Sequence, residues 1–363
     1  MKCNIIKQGV VYRATETPFR YQAWPSVCRD EQGRLYAVCS GHRASHVCPF
    51  GMNLMFVSPD GGDRWSCPII INDTWMDDRD AGITYLGQGR LLQTYFHHPV
   101  SFYLGEREWM RRDADCYSCG TVMGMLDSYP AYTPEMDTPG SFIRLSDNYG
   151  MSWSAPVQVP VTAPHGPVRT ASGKLLYLGK EFWSDRSEKG EILLFESPDS
   201  GKSWEFLSQI PRPEGCEPCN LHEPHLAELP DGRLVAGIRV EGIGPQFTIY
   251  FSASTDGGRS WSRPRSSGIS GSPPHLLVLS DGAVLCTYGR RELQNDNPCG
   301  IRAVVSRDGF ESFGPELVLS ESPSADLGYP ATVELDDGSL VTVYYQRVGE
   351  DTRTSILYTK WRL

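Results

Sequence analysis

Short runs of alternating apolar and polar residues, separated by turn residues, recur along the whole chain. The run from Pro330 to Tyr345 (PATVELDDGSLVTVYY) is typical, because two such segments flank Asp337-Gly338, a dipeptide that favours a tight turn between antiparallel strands. Each segment has roughly six residues, which suits a strand and is too short for an amphipathic helix. The pattern therefore predicts a chain built from β-hairpins.

One hairpin frame, a proline followed eight residues later by a glycine, is repeated along the chain. Ala81 to Gly89 keeps the spacing without the proline, and Pro167 to Gly173 is a version shortened by two residues. Six related hairpins in one chain indicate six copies of one structural unit. The complete copies are Pro25–Gly33, Pro224–Gly232, Pro274–Gly282 and Pro330–Gly338.

A second repeat, Ser-x-Asp-x-Gly-x-x-Trp, lies between the hairpins and is called the Asp-turn below. Its Ser and Asp side chains are expected to bond the amides of their own turn, its glycine accepts a positive φ, and its tryptophan forms an apolar plug. Each copy would join the third and fourth strands of a unit. The copies are Ser58–Trp65, Ser146–Trp153 (with Asn148 in the Asp position), Ser197–Trp204, Ser254–Trp261 and the degenerate Ser306–Phe313.

Four strands per unit and six units predict an all-β fold, a six-bladed β-propeller that forms a single domain over residues 1–363. The last unit lacks an Asp-turn, and its fourth strand is expected from the N-terminal segment Ile5 to Arg13, which would close the ring. The largest interruption, at about 97–140 in blade two, is expected to form a lid or rim feature.

Charge and cysteine content narrow the choice of partners and compartment. The formal net charge of −10 argues against nucleic acid or an anionic membrane as a partner. Eleven scattered cysteines favour reduced thiols and a cytoplasmic location. We find no apolar run near the ~18 residues of a spanning helix and expect no signal peptide and no cofactor. Assembly into a homo-oligomer is compatible with the sequence.

The residue before each frame proline is predicted to lie beside the propeller axis, on the face opposite the Asp-turns. Three of these six positions carry reactive side chains: Asp80, Glu223 and Tyr329. A fourth is Trp24, expected either to stack on a ligand or simply to pack. Convergent charged groups at one end of a channel are typical of a polar ligand site. The neighbouring strand ends add Arg43, His46, His97, Lys180, Arg239, Arg290, Arg291 and Arg302.

Histidines and paired cysteines offer further candidates on this face. If a histidine acts as general acid or base, His46 and His165 are the candidates among His42, His46, His97, His98, His165 and His222. The Cys-x-x-Cys pairs Cys116/Cys119 and Cys216/Cys219 fit either a four-cysteine zinc site or unrelated loop cysteines, and we predict no catalytic metal.

These residues and repeats resemble the sialidase (neuraminidase) superfamily over nearly the whole chain. In bacterial and animal sialidases a tyrosine precedes the first strand of the last blade, and Gly328-Tyr329-Pro330 is similar. A glutamate opens their fourth blade and an arginine follows at the end of the hairpin, as Glu223 and Arg239 do here. The resemblance implies Tyr329 as nucleophile, Glu223 as its base, and Asp80 or His46 as the acid.

The resemblance also implies a substrate, a small glycan with a terminal acidic sugar that the enzyme would hydrolyse as an exo-glycosidase. A neutral tyrosine avoids the repulsion that an anionic nucleophile would meet from a carboxylate on the anomeric carbon. Arginines bind carboxylates in bidentate fashion. The expected substrate contacts are Arg239, Arg302, Arg43, Arg79, His165, His222, Trp24 and Arg290.

The sequence departs from the sialidase pattern at three positions. Ala23-Trp24-Pro25 stands where sialidases have Arg-Ile-Pro, so that arginine is missing. His46 stands roughly where they have the acid aspartate, and Arg302 is the nearest match to their third arginine. Two alternatives therefore stay open. One is a histidine-dependent glycosidase or lyase that acts on uronates, and the other is a propeller that binds glycans without catalysis.

Overall fold

Six antiparallel sheets are arranged around an axis in the computed structural model, which describes residues 3–114, 118–129, 135–181, 190–244, 247–292 and 298–363. The predicted all-β, six-bladed propeller is confirmed.

Strand β1 (Asn4–Tyr12) belongs to the last blade. Blade one has β2 (Tyr21–Arg29), β3 (Leu35–Arg43), β4 (Met52–Ser58) and β5 (Ile69–Asn72). Blade two has β6 (Arg79–Gly87), β7 (Arg90–His97), β8 (Gly140–Ser146) and β9 (Val157–Val159). Blade three has β10 (Val161–Thr162), β11 (Val168–Arg169), β12 (Leu175–Glu181), β13 (Ile192–Ser197) and β14 (Glu205–Gln209).

The second half of the chain repeats the same order of strands from the axis outwards. Blade four has β15 (Leu221–Glu228), β16 (Leu234–Glu241), β17 (Phe247–Ser254) and β18 (Arg265–Ser270). Blade five has β19 (Ser272–Val278), β20 (Val284–Arg290), β21 (Cys299–Ser306) and β22 (Leu317–Ser322). Blade six has β23 (Gly328–Glu334), β24 (Leu340–Arg347), β25 (Thr354–Arg362) and then β1.

The two ends of the chain close the ring in blade six. Strand β1 pairs antiparallel with β25, so that Asn4 lies opposite Arg362 and Val10 opposite Leu357. This confirms that the N-terminal strand completes the last blade. The inner strand β23 is buried up to Glu334, whereas most of β1 is exposed. Each blade packs face to face against its neighbours. The apolar core is therefore concentrated where adjacent blades meet.

The five Asp-turns share one hydrogen-bond pattern, on the face opposite the beginnings of the inner strands. In the turn at Ser254, the Ser254 Oγ donates to Asp256 Oδ1 at 2.8 Å and accepts from the Gly258 N–H at 2.9 Å. The degenerate copy does the same, because Ser306 Oγ donates to Asp308 and accepts from the Phe310 N–H. The turns therefore satisfy their own backbone groups, as the sequence predicted.

Replacing Ser254 with alanine should lower the free energy of unfolding by about 1–2 kcal/mol, because the buried Gly258 N–H would lose its acceptor. Denaturant unfolding followed by tryptophan fluorescence measures this change. The matched control is Ser101→Ala, since Ser101 is exposed and should change stability by less than about 0.5 kcal/mol. Equal effects of the two substitutions would contradict a stabilising role for the turn.

The described part of the connection between β7 and β8 contains three helices: α1 (Val100–Gly105), α2 (Arg107–Asp113) and α3 (Cys119–Ser128). Their apolar side chains pack on blade-one loops at Ala44, Cys48 and Met76. Tyr103 of α1 also donates a hydrogen bond to Asp77 Oδ2 at 3.1 Å. The helices are thereby fixed over the end of the propeller where the inner strands begin. None of the helices among the described residues has the length and apolar character needed to cross a membrane.

Candidate active site

A β-bulge near the start of the inner strand brings reactive side chains to the propeller axis. The strand register shifts across this point in blades one, two, four, five and six. In four of these bulges a residue inside the bulge has a left-handed φ: 52° at Trp24, 49° at Asp80, 34° at Glu223 and 50° at Tyr329. Such conformations cost non-glycine residues on the order of 1–3 kcal/mol each and are concentrated at functional sites.

Three of these four residues, Asp80, Glu223 and Tyr329, line one cavity of about 370 Å³. The cavity lies at the end of the axis where the inner strands begin. This is the end at which the hairpin repeat predicts Asp80, Glu223 and Tyr329 to lie. Its walls come from blades two, three, four and six. The other lining residues are Arg79, Phe96, His98, Thr162, Ala163, Pro164, Lys180, His222 and Arg239.

Tyr329, Glu223 and Arg239 form a hydrogen-bonded group on the floor of this cavity. The Tyr329 hydroxyl donates to Glu223 Oε1, and Arg239 Nη1 donates to Glu223 Oε2. Arg239 Nη1 also lies 3.4 Å from the Tyr329 oxygen. Burial alone would raise the pKa of Glu223, but the Arg239 charge and the Tyr329 hydrogen bond outweigh it and hold that pKa below its ordinary value. Glu223 is therefore an ionised acceptor.

Tyr329 is neutral in this arrangement. Burial, together with the nearby Glu223 and Asp80 charges, holds the pKa of Tyr329 well above its ordinary value. A neutral tyrosine whose proton points at a carboxylate has the arrangement that a tyrosine nucleophile and its base require.

A chain of polar contacts extends from Arg239 towards blade three. Arg239 Nη2 pairs with Glu241 Oε1, and Glu241 Oε2 lies 4.0 Å from His222 Nε2. His222 Nδ1 lies 3.1 Å from Lys180 Nζ. Burial lowers the pKa of Lys180 to about 8, while burial and the Lys180 charge lower the pKa of His222 to about 4. At neutral pH His222 is therefore an uncharged acceptor for the Lys180 ammonium group.

Asp80 differs from Glu223 in its surroundings and in its protonation. Among the described residues its Oδ1 has no hydrogen-bond partner and is buried. Burial raises the pKa of Asp80 to about 7, with the Arg79 charge opposing that rise and the Glu223 charge adding to it. Two carboxyl groups in one cavity thus have opposite tendencies, one to hold a proton and the other to accept one.

Arg79 lines the cavity and packs against Trp24. Its guanidinium carbon lies 4.2 Å from the centroid of the Trp24 ring, and its Nη1 donates to the His46 carbonyl oxygen at 3.2 Å. Trp24 itself is only 1% exposed and is absent from the cavity lining. Trp24 therefore supports Arg79 by packing instead of offering a stacking surface to a ligand.

Arg43, expected to contact the substrate, is fully buried. Its guanidinium makes a two-point ion pair with Asp77, in which Nη2 and Oδ2 are 2.7 Å apart. The same group also donates to Ser40 and to the His46 carbonyl oxygen. Both terminal nitrogens therefore bind protein acceptors, and Arg43 links the end of β3 to the connection between β5 and β6.

His46, one of the two candidate acids, lies outside the cavity lining. Its Nδ1 is 2.9 Å from the Tyr21 hydroxyl, which donates to Asp326 Oδ1 at 2.8 Å. Burial and the charges of nearby arginines, first of all Arg79, hold the pKa of His46 well below its ordinary value. His46 is therefore neutral near pH 7, which makes it a weaker proton donor than Asp80.

Arg290 and Arg302 lie away from the cavity, because both are bound to Glu316 on the outer side of blade five. Arg290 Nη2 contacts Glu316 Oε2, and Arg302 Nε lies 3.5 Å from Glu316 Oε1. Arg302 also donates to the carbonyl oxygens of Pro298 and Ser320 at 2.6 Å. Neither guanidinium is directed at Tyr329.

Arg291 is the arginine of blade five that approaches the site. Its guanidinium carbon lies 5.5 Å from the centroid of the Tyr329 ring, and its Nη2 donates to the Tyr345 hydroxyl at 3.2 Å. Successive side chains of an extended chain point to opposite sides. Arg290 and Arg291 are adjacent, so their side chains point in opposite directions. The sequence placed both at a strand end, but their direction depends on where the strand begins and ends.

His222 lines the candidate active-site cavity, whereas His165 lines a second cavity along the axis. Of the cysteines proposed for zinc, Cys116 lies outside the described residues. Cys216 is buried in the apolar core and Cys219 is exposed. Cys119 begins α3 in the blade-two connection. No group of three or more His, Cys, Asp or Glu side chains in the described part of the chain is arranged to hold a metal ion.

Comparison with known proteins agrees with this fold. The structure has the six-bladed propeller fold of the sialidases. The model of the BNR repeat-like domain matches residues 131–342, more than half of the chain, so the chain belongs to the BNR repeat-like domain family. The resemblance to the sialidase superfamily is thereby confirmed at the level of the fold. None of the curated proteins matches.

Three solved structures illustrate the similarity. A protein of unknown function from Dyadobacter fermentans is 22% identical with a TM-score of 0.77, covering 99% of this chain and 98% of that one. The NanB sialidase from Streptococcus pneumoniae is 15% identical with a TM-score of 0.70, covering 98% and 70%. The intramolecular trans-sialidase from Ruminococcus gnavus is 14% identical with a TM-score of 0.70, covering 99% and 98%. At these identities the likeness concerns the fold, and activity must be argued from the site.

Proposed function

We propose that this protein is a retaining exo-glycoside hydrolase that removes a terminal acidic sugar, a sialic acid or a related sugar, from a small glycan. The observation that carries the proposal is the hydrogen bond from the Tyr329 hydroxyl to Glu223, with Arg239 beside both groups. The fold shared with the NanB sialidase and the trans-sialidase supports the same reading.

In the first half of the reaction, Tyr329 Oη forms a bond to the anomeric carbon. Its proton moves to Glu223 Oε1 as that bond forms, so a free phenolate is never required. The bond from the anomeric carbon to the leaving oxygen breaks, and Asp80 gives its proton to that oxygen. Asp80 suits this step because it lines the cavity and its pKa of about 7 leaves it partly protonated.

In the second half, water hydrolyses the bond between Tyr329 and the sugar. Asp80, now ionised, accepts a proton from the attacking water. Glu223 returns the proton that it took in the first half to Tyr329 Oη as the bond between that oxygen and the sugar breaks. Both carboxyl groups end in their starting states, and the configuration at the anomeric carbon is retained after two displacements.

The acidic group of the sugar would be bound by arginines that surround Tyr329. Arg79 and Arg239 line the cavity, and Arg291 lies against the Tyr329 ring. Arg239 is shared between Glu223 and Glu241, and both contacts hold its guanidinium in a fixed orientation. A carboxylate facing Arg79 and Arg291 would meet positive charge without displacing Glu223.

A panel of aryl glycosides tests the proposal. It should include an α-sialoside, a second nonulosonate, a β-glucuronide and a neutral galactoside as control. We expect turnover of at least one acidic sugar, none of the galactoside, and a product with retained configuration. An ultraviolet absorbance from a new C=C bond would instead indicate a lyase. Binding of the acidic sugars without turnover of any would overturn the enzymatic proposal in favour of a glycan-binding propeller.

Asp80→Asn should reduce kcat/KM by about 10²–10⁴-fold for substrates whose leaving group must be protonated, and by much less for aryl leaving groups. In the wild type, kcat/KM should fall as the pH rises through about 7, because Asp80 then loses the proton it has to donate. Rates measured across pH with both leaving groups check this expectation. His46→Asn is the control, and a dependence on the leaving group in that variant would assign the acid to His46 instead.

A further inference from the structure

Three histidines form a cluster in the axial channel, outside the candidate active site. The ring centroids of His165, His225 and His275 are 4.5–5.2 Å apart, and the residues come from three consecutive blades. They are exposed by only 4%, 7% and 7%. They line a cavity of about 370 Å³ formed by the inner strands of all six blades, which shares no lining residue with the catalytic cavity.

Three ring nitrogens of this histidine cluster have no hydrogen-bond partner among the described residues. His225 Nδ1 accepts a hydrogen bond from the Leu276 N–H at 2.9 Å, so neutral His225 carries its proton on Nε2. Among the described residues, neither ring nitrogen of His165 has a partner, and His275 Nδ1 has none. Buried polar atoms in native proteins are nearly always paired. We therefore infer a polar ligand between the rings.

The tautomer of His225 argues against a metal ion as that ligand. A histidine that binds a metal usually donates the N–H of its other nitrogen to an acceptor. The other nitrogen of His225 itself accepts an N–H, so Nε2 is protonated and offers a hydrogen-bond donor in place of a lone pair. The ligand should therefore be a hydrogen-bond acceptor.

The charges around the histidine cluster favour an anion. Burial lowers the pKa of all three histidines, for His225 to about 3, and no acidic side chain contributes to the shifts. Glu228 lies three residues beyond His225, roughly 10 Å along β15, and accepts the Ala171 N–H. Strand β19 contributes no charged group to the channel. The titratable groups on the other inner strands that line it are Cys28, Arg29 (paired with Asp336), Tyr85, Arg169 and Glu228.

We propose that the histidine cluster binds a small monovalent anion, such as chloride or bromide, which enters together with a proton from solvent. The anion supplies the counter-charge that a protonated imidazole lacks in this channel. Val27, Ile83 and Leu226 make part of the wall apolar, which suits a weakly hydrated halide better than a multivalent anion.

Thermal unfolding in sodium bromide and in sodium gluconate at equal ionic strength tests this site. Without an anion, the free energy of unfolding should decrease as the pH drops below about 6.5. The histidines of the unfolded chain then take up protons that the buried histidines do not. Near pH 5.5 (about one unit below that pKa), bromide at ten times its Kd should shift the unfolding equilibrium by about 11-fold, and by less near pH 8. His165→Gln and His275→Gln should abolish the shift, and His42→Gln, outside the channel, should keep it.

Crystals soaked in bromide provide a second measurement that does not depend on variant stability. Anomalous density between the three rings is the expected result. Equal melting temperatures in bromide and gluconate, the same bromide shift in His165→Gln, or density elsewhere would each overturn the proposal. Stabilisation by Zn²⁺ in place of bromide would do so as well. The test does not involve turnover, so its outcome is independent of the proposed hydrolase activity.

Discussion

Glu223→Gln should lower kcat by about 10²–10⁴-fold, and Tyr329→Phe by at least as much, on whichever acidic glycoside the protein turns over. Glutamine cannot take the phenolic proton, and phenylalanine removes the oxygen that attacks the anomeric carbon. Both substitutions nearly preserve shape, so KM should change much less than kcat. Steady-state rates, with melting temperature as a check on folding, measure the effect.

A second tyrosine–glutamate pair in the same chain provides a matched control. The Tyr149 hydroxyl donates to Glu31 Oε1 at 3.0 Å, but this pair is located beside an Asp-turn on the opposite face. Tyr149→Phe and Glu31→Gln should leave kcat unchanged. If Tyr329→Phe kept a rate close to that of Tyr149→Phe, Tyr329 would not be the nucleophile and the covalent mechanism would have to be abandoned.

Asp77→Ala should lower the free energy of unfolding by about 3–5 kcal/mol. The Asp77 carboxylate is fully buried and is the counter-ion of Arg43, whose guanidinium would remain in the interior without a partner charge. Asp77 also accepts hydrogen bonds from Arg79 and from Tyr103 of α1. Its loss should therefore loosen both the helical connection between β7 and β8 and Arg79, which lines the candidate active-site cavity. Denaturant unfolding gives the energy, and KM for the acidic substrate should rise.

Asp63→Ala is the control for this prediction. Asp63 pairs with Lys7 at 3.0 Å on the surface, where both side chains are 45% exposed, and its removal should have no measurable effect on stability. A loss below about 1 kcal/mol for Asp77→Ala would mean that water or a rearranged loop solvates Arg43, and that the pair does not fix the site.

The axial position of the reactive side chains could be predicted because it follows from the period of the repeat. Counting from each hairpin frame places Asp80, Glu223 and Tyr329 in equivalent positions of different blades, and these residues line one cavity. The bulge that gives them a left-handed φ is not predicted by the pattern, although in three of the four blades (at Trp24, Glu223 and Tyr329) the bulged residue directly precedes the frame proline. It is visible only as a register shift between paired strands.

The roles of the arginines could not be predicted in the same way. Arg43, Arg290 and Arg302 lie at strand ends, as Arg239 does, yet the guanidinium of each is bound to protein acceptors away from the cavity. Arg291 approaches Tyr329 although it is adjacent to Arg290 in the chain. Whether a charged side chain faces a ligand depends on the acceptors that neighbouring strands place around it, and a single-sequence pattern does not contain those distances.

The sequence by itself determined the number of blades, the Asp-turns and the closing of the ring by β1, because these depend on local turn chemistry and on a repeat that can be counted. The tertiary structure decided which residues share a cavity and which protonation states they have. Asp80 tends to keep its proton while Glu223 tends to lose it, since Glu223 lies against Arg239 and the Tyr329 hydroxyl whereas the Asp80 Oδ1 has no partner in the described residues. That difference arises from burial and from charges on other blades, which meet only when the ring is closed.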